Sequence, residues 1–313
     1  MRFRSPSTRI GWLRTVVAGA AGLGVAALVY ARLIEPRRLQ TVRYRLGIDD
    51  LPDALVGLKI AHLTDFHVGM EGTSLKTLRR AIGRAIAERP DLVALTGDFT
   101  HDGVWERDAD LFATLSRVAP TVAVLGNHDY DAGERQAERT IGELRAQGVH
   151  VLRNTHAVVP VRDGAGELLI VAVDDPHRDR DDLATAMAGV SLSREPERPA
   201  LLLGHVPDIV NQAPPGRFAL TLAGHTHGGQ LRFSPFKRFT PLELPMIAGD
   251  LDSKFPRGTH VVNANPLFVN NGLGVSGVPF RFLAPPQMAV FTLARGTDPT
   301  RDPDDAGRYL TKT

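Results

Sequence analysis

The 313 residues are 43% hydrophobic and 23% charged, which is enough for one large domain with a buried core and appendages. No cysteine is present, so a disulfide framework and any thiolate metal site are excluded, and a bound metal must rest on nitrogen and oxygen. Residues 1–45 hold nine of the 37 basic residues and one of the 35 acidic ones, leaving a body with net charge −6 that excludes a broad nucleic-acid footprint.

The N-terminal arginines (2, 4, 9, 14, 32, 37, 38, 43 and 45) flank an uncharged run from Thr15 to Ala31. As a helix this run spans about 26 Å, slightly short of a hydrocarbon core of roughly 30 Å. Arg14 and Arg32 can snorkel outward, and Ile10–Leu13 and Leu33–Ile34 add apolar length. The expectation is one N-terminal transmembrane helix holding the chain in the cell membrane as a single-pass protein. A cleaved secretory leader is the rival, but the Ala/Gly run offers no sharp polar cleavage region. Arginine flanks both ends in similar number, so the side on which the body lies is not readable. Residues 1–45 are taken as anchor and Arg-rich connector, 46–296 as the domain and 297–313 as a disordered tail. A chain beginning near Leu46 is therefore expected to be soluble.

Beyond the connector, strand and helix signals alternate. Gly57–Thr64 reads as a buried strand; Ser74 can cap a helix over 75–88, in which Leu75, Leu78, Ile82 and Ile86 repeat at helical spacing. Strands follow at 92–95 and 121–125, with helices at about 105–118 and 134–147. From about 149 the chain turns to short β-type runs, at 149–152, 157–161, 168–173, 201–203 and 218–222, with one helix near 180–188. The segment 228–258 is rich in Gly, Pro and Phe and reads as an irregular loop, in which Phe233, Phe236 and Phe239 either pack the loop, the preferred reading, or line a lipid-facing lip. Further strands are expected at 259–263, 267–270 and 288–293. Repeated β-loop-α makes the class α/β.

Polar residues of metal-binding type fall at the C-terminal ends of these strands, where α/β sheets place their sites. They come in order as Asp65-Phe66-His67, Gly97-Asp98, Gly126-Asn127-His128-Asp129, Gly204-His205 and Gly224-His225-Thr226-His227. Imidazoles and carboxylates together suit two divalent cations about 3.5–4 Å apart, and a bridging carboxylate offsets their repulsion. Glycine beside the ligands allows sharp turns with little bulk near the ions.

The ordered set DFH, GD, GNHD, GH and GHTH resembles the calcineurin-like metallophosphoesterase superfamily over roughly residues 57–295. The anchor, GNHD and GHTHGGQ together look like its membrane-associated bacterial phosphodiesterase branch. The resemblance implies a four-layer α/β/β/α sandwich with two mixed β-sheets. It also implies one metal on Asp65, His67, Asp98 and His227, and a second on Asp98, Asn127, His205 and His225. His128 matches the family's non-ligand catalytic histidine. Zn²⁺, Mn²⁺ and iron all suit these ligands. Many relatives carry an acid three residues after the bridging aspartate to orient that histidine; here the position is His101, leaving Asp102 or Asp129 as the expected substitute.

The implied activity is hydrolysis of a phosphate ester or diphosphate. The expected partners are a phosphoester substrate, lipid-linked as in UDP-2,3-diacylglucosamine, and the membrane; nucleic acid is not among them. A protein or nucleotide phosphatase is the alternative, and an inactive scaffold is disfavoured because all seven ligand positions are kept. Among the other histidines, His62 reads as a hydrogen-bonded core residue, His101 as a loop residue near the site, and His150, His156, His177 and His260 as surface or loop residues.

Overall fold

The computed structural model describes residues 6–101, 110–191, 198–232, 254–296 and 310–313. Helix α1 (Pro6–Val29) runs on through one wide π-helical turn over Tyr30–Ile34 and a 3₁₀ turn over Glu35–Arg37. Its apolar side chains face outward, with Trp12, Leu23, Val25 and Leu28 all exposed.

The remaining described elements are β1 (Gln40–Ile48), β2 (Lys59–Leu63), α2 (Leu75–Ala87), β3 (Leu92–Thr96), α3 (Ala113–Ser116), β4 (Thr121–Val124), α4 (Glu134–Ala146), β5 (His150–Val151), β6 (Thr155–Val161), β7 (Gly166–Ala172), α5 (Leu183–Ala186), β8 (Ala200–Leu203), β9 (Leu220–Ala223), β10 (Gly258–Val262), β11 (Asn265–Val269), β12 (Gln287–Arg295) and β13 (Leu310–Lys312). They form two mixed sheets, in the orders β13-β1-β12-β2-β3-β4-β5 and β10-β11-β9-β8-β7-β6.

The period of two along each strand builds the layers. In the first sheet Ile60, Leu92, Ala94, Val122 and Val124 point to the space between the sheets, where they meet Leu168, Ile170, Leu201, Leu203 and Phe268 of the second. The alternate residues Ala61, Leu63, Val93, Leu95 and Ala123 pack outward against Leu78 and Ile82 of α2 and Ile141 and Leu144 of α4. On the far side Leu169, Val171 and Leu202 meet Leu183 and Ala186 of α5. The central strands are buried on both faces, so they read as continuous apolar runs. The result is the expected four-layer α/β/β/α sandwich.

Helix α2 begins where expected, with the Ser74 side chain accepting from the Thr77 N–H at 3.3 Å. The helix expected at 105–118 is described only as α3, because 102–109 lie outside the described residues. The helix expected near 180–188 is a short turn, α5, which Asp182 caps through Thr185 N. Phe233, Phe236 and Phe239 also lie outside the described residues.

Two boundaries differ from expectation. The supposed connector is largely strand: β1 pairs in parallel with β12 from Gln40↔Gln287 to Ile48↔Arg295. Val42, Leu46 and Ile48 face the core, while Arg43 turns out to pair with Glu88. The expected disordered tail contributes β13, antiparallel to β1 through Leu46↔Leu310. A chain cut at Leu46 would lose most of a strand that lies between β12 and β13, which argues against its staying soluble. We expect a chain beginning at Leu39 to unfold in one cooperative transition and one beginning at Leu46 to aggregate or melt at least about 10 °C lower, since even 1 kcal/mol shifts Tm by a few degrees; thermal denaturation of the two measures it.

Candidate metal centre

Five strand ends converge on one edge. Beyond β2 lie Asp65 and His67, beyond β3 Asp98, beyond β4 Asn127 and His128, beyond β8 His205, and beyond β9 His225 and His227. Neighbouring parallel strands in register hold their C-terminal ends level, as in Leu63↔Leu95 and Ala123↔Leu95. Asp65, His67, Asp98, His225 and His227 all take φ between 43° and 69°, a region that costs L-residues roughly 1–2 kcal/mol each. Strain gathered on five residues of one edge marks a site whose geometry is imposed by the surrounding fold.

Close approach also needs glycine at two points. A Cβ on Gly126 would lie 2.2 Å from Asp98 Oδ1, and one on Gly224 would lie 2.3 Å from Asp65 Oδ2. Either side chain would have to displace a candidate ligand.

The seven expected ligands fall into two groups that share Asp98. In the first, Asp65, His67, Asp98 and His227 each offer one donor atom, all within 4.8 Å of one another. His67 Nε2 lies 3.0 Å from His227 Nε2 and 3.3 Å from Asp98 Oδ2, and His227 Nε2 lies 3.4 Å from Asp65 Oδ1. In the second, His205 Nε2 is 3.2 Å from Asp98 Oδ2, and His225 Nδ1 is 3.3 Å from His205 Nε2 and 3.0 Å from Asn127 Oδ1. Asp98 Oδ2 thus faces both groups, while its Oδ1 accepts the His128 N–H at 2.9 Å. Backbone holds the rest: Asp65 Oδ1 accepts from His225 N at 3.0 Å, and His205 Nδ1 meets Thr96 O at 2.7 Å.

The chemistry of this donor set fits divalent cations. Burial drives His67 down to about 4 and holds His225 and His227 well below the usual imidazole value, so their rings are neutral and carry lone pairs. Burial and the Asp98 charge raise Asp65 to about 6 against the lowering pull of His205 and Arg281, and His205 itself, against burial, is pushed up to about 10 by the Asp98 and Asp65 carboxylates that a cation would share with it. Two neutral ring nitrogens 3.0 Å apart, as in His67 and His227, can share one proton or face one cation.

One expected role moves to another residue. The orienting partner of His128 is Asp131, whose Oδ2 lies 2.5 Å from His128 Nδ1. Asp129 instead turns inward and accepts from the N–H groups of Phe99, Thr100 and Gly126, tying the loops after β3 and β4 together. Asp102 lies outside the described residues. Burial lowers the His128 pKa, but Asp98 and Asp131 outweigh it and hold it above the usual value. Its Nε2 lies 3.1 Å from Ser276 Oγ, on the loop after β11.

His177 is a half-buried loop residue, on the turn Pro176–Arg178, but it belongs to the site: its Nε2 lies 3.0 Å from His225 Nε2. It follows β7, so the same strand-end position that picked out the ligands also applies to it. The ring of His101 stands 5.9 Å from that of His128, beside the site. His62 is the core residue expected, with Nε2 2.8 Å from Thr96 Oγ1 and a pKa driven down to about 3 by burial.

Behind His227 lies the fully buried Arg281, which donates to the carbonyls of Gly274, Asn271 and Ala284 and approaches His227 Nδ1 at 3.2 Å. Its own N–H donates to Ala31 O at 2.9 Å, and Glu35 Oε1 accepts from Ala284 N at 2.5 Å. The end of the apolar helix is thereby docked on the wall that carries His227.

Comparison with known proteins agrees with this geometry. The family model described as calcineurin-like phosphoesterase matches residues 58–229, more than half of the chain. A Bacillus subtilis (strain 168) protein, the uncharacterized metallophosphoesterase YkuE, is 28% identical over 90% of this chain and 95% of its own. The phosphodiesterase YaeI of Escherichia coli (strain K12) is 28% identical over 82% of this chain and 88% of its own. A Danio rerio transmembrane protein with metallophosphoesterase domain is 27% identical over 81% of this chain and 57% of its own.

Proposed function

The chain belongs to the calcineurin-like phosphoesterase family and is a metal-dependent phosphoesterase; on that premise we propose that it is a two-metal phosphodiesterase or diphosphate hydrolase acting on a lipid-linked substrate at a membrane surface. Asp65, His67, Asp98 and His227 would hold one cation and Asp98, Asn127, His205 and His225 the other. Bound there, the cations supply Lewis acidity toward a phosphoryl oxygen and acidify water to a nucleophile usable near neutral pH.

The chain's own groups do the rest. Asp98 keeps both halves of the centre in register by facing His67 and His205 with a single oxygen. His128, held through Nδ1 by Asp131 and with Nε2 beside the Ser276 hydroxyl, would pass a proton from Nε2 to the departing oxygen. Asp98 and Asp131, acting against burial, raise its pKa and so favour the protonated ring.

The observation that carries the lipid reading is the docked helix. A stretch from Arg14 to Arg37 is long and apolar enough to cross a membrane and is almost uncovered by the rest of the chain. Its Ala31 carbonyl accepts from the N–H of Arg281, whose guanidinium lies 3.2 Å from Nδ1 of candidate ligand His227. The Danio rerio relative is named a transmembrane protein and the Escherichia coli relative a phosphodiesterase, and both support the same reading.

The test is Mn²⁺-dependent hydrolysis by the full chain in bilayer discs, with UDP-2,3-diacylglucosamine, bis-p-nitrophenyl phosphate and p-nitrophenyl phosphate as substrates. The lipid diphosphate should have the highest kcat/KM and the monoester the lowest. Preference for the monoester would favour a phosphatase. Asn127→Ala, which removes one neutral oxygen donor from one side, should weaken one of two bound cations at least about tenfold and leave the other; calorimetric titration with Mn²⁺ reads this directly.

A further inference from the structure

We infer that His177 is a positioning residue for the second cation site: it accepts the Nε2–H of His225 and so fixes the tautomer in which His225 Nδ1 is free to bind. The inference rests on the ligand role proposed for His225. His225 turns Nδ1 toward Asn127 Oδ1 at 3.0 Å and His205 Nε2 at 3.3 Å, so Nδ1 is its centre-facing atom. A neutral imidazole offers a lone pair on one nitrogen only if its proton is on the other. The proton of His225 must then sit on Nε2, and among the described residues the hydrogen-bond partner of that atom is His177 Nε2, 3.0 Å away. His177 must in turn carry its proton on Nδ1.

The loop after β7 is built to hold this partner in place. Asp175 is fully buried and accepts from the His177 N–H at 3.3 Å, setting the 3₁₀ turn Pro176–Arg178. Pro176 fixes the first turn position, and Asp174 beside it is clamped by the Tyr130 hydroxyl at 2.7 Å and by Arg153 at 2.8 Å. The ring centroids of His177 and His225 lie 4.6 Å apart with their planes tilted by 35°, which brings the two Nε2 atoms together at 3.0 Å. Outer partners of this kind commonly set ligand orientation and basicity, and their loss costs about 10–100-fold in metal affinity.

The experiment is calorimetric titration of Mn²⁺ into the chelator-stripped full chain in detergent, for the wild type, His177→Phe, His177→Gln and His225→Ala. Phenylalanine keeps the ring and removes the acceptor; glutamine can place a carbonyl oxygen near the position of Nε2. His177→Phe should bind the first equivalent normally and the second about 10–100-fold more weakly, and His177→Gln should recover to within about threefold of wild type. Circular dichroism checks the fold, and His177→Ala replaces the Phe variant if that variant unfolds. Wild-type affinity for both equivalents in His177→Phe, or equal weakening in the Gln and Phe variants, overturns the inference. His225→Ala separates the two levels. If it loses the second equivalent while His177→Phe does not, only the role of His177 fails; if it keeps both, the ligand assignment itself fails.

Discussion

Asp98→Ala is expected to strip both cations and to lower phosphoester hydrolysis by at least about 10³-fold, the scale on which losing a charge-stabilising group in a catalytic centre is felt. The reason is that one oxygen serves two groups: Asp98 Oδ2 lies 3.3 Å from His67 Nε2 and 3.2 Å from His205 Nε2. Burial alone would raise its pKa, but the facing His205, His128 and His67 outweigh this and keep it well below the usual carboxylate range. It is therefore the negative charge that the centre turns on: against the pull of burial it pushes His205 up to about 10 and raises His128, while His67, His225 and His227 stay neutral. Its other oxygen accepts from His128 N, so the alanine variant also loosens the catalytic loop. Asp98→Asn keeps that second contact and removes the charge, and it should lose metal nearly as completely. Elemental analysis of the purified variants reads the outcome, and two retained cations in Asp98→Ala would refute the bridging role.

His128→Ala should keep its metal and lose rate, by about 10²–10⁴-fold for substrates with poor leaving groups. The ring touches Asp131 and Ser276, and although it offers a nitrogen within 4.8 Å of His67 and His101, its Nδ1 meets the Asp131 carboxylate and its Nε2 the Ser276 hydroxyl. If its task is to protonate the departing oxygen, the loss should shrink for p-nitrophenolate, which needs little protonation. Asp131→Asn should show the same leaving-group dependence in weaker form, because the ring loses the carboxylate that orients it and favours its charge. A uniform loss across leaving groups would assign His128 an electrostatic role, and loss of bound metal would make it a ligand.

The seven candidate ligands were legible because each follows a buried strand directly, most of them beside a glycine, and strand ends in α/β sheets converge. Asp131 was missed although a signal was present. The turn Asn127–Tyr130 is a 3₁₀ turn, with three residues per turn, so the acid three places after His128 lies over it. His177 was passed over because it matches no motif; its position just past β7 was the available clue. Strand β1 was hidden by composition. Arg43 and Arg45 made the segment read as a charged connector, although Val42, Leu46 and Ile48 carry the inward face. The sheet order that buries β1 between β12 and β13 depends on pairings more than 240 residues apart, as in Gln40↔Gln287, which no local pattern encodes.

The most direct measurement is the cation stoichiometry of activity. The full chain, stripped by chelation and reconstituted in bilayer discs, is titrated with Mn²⁺ while binding and hydrolysis of bis-p-nitrophenyl phosphate are followed together. Two equivalents should bind, with activity rising only as the second site fills. Saturation at one equivalent with full activity, or hydrolysis that survives chelation, would contradict a two-cation centre built on Asp98.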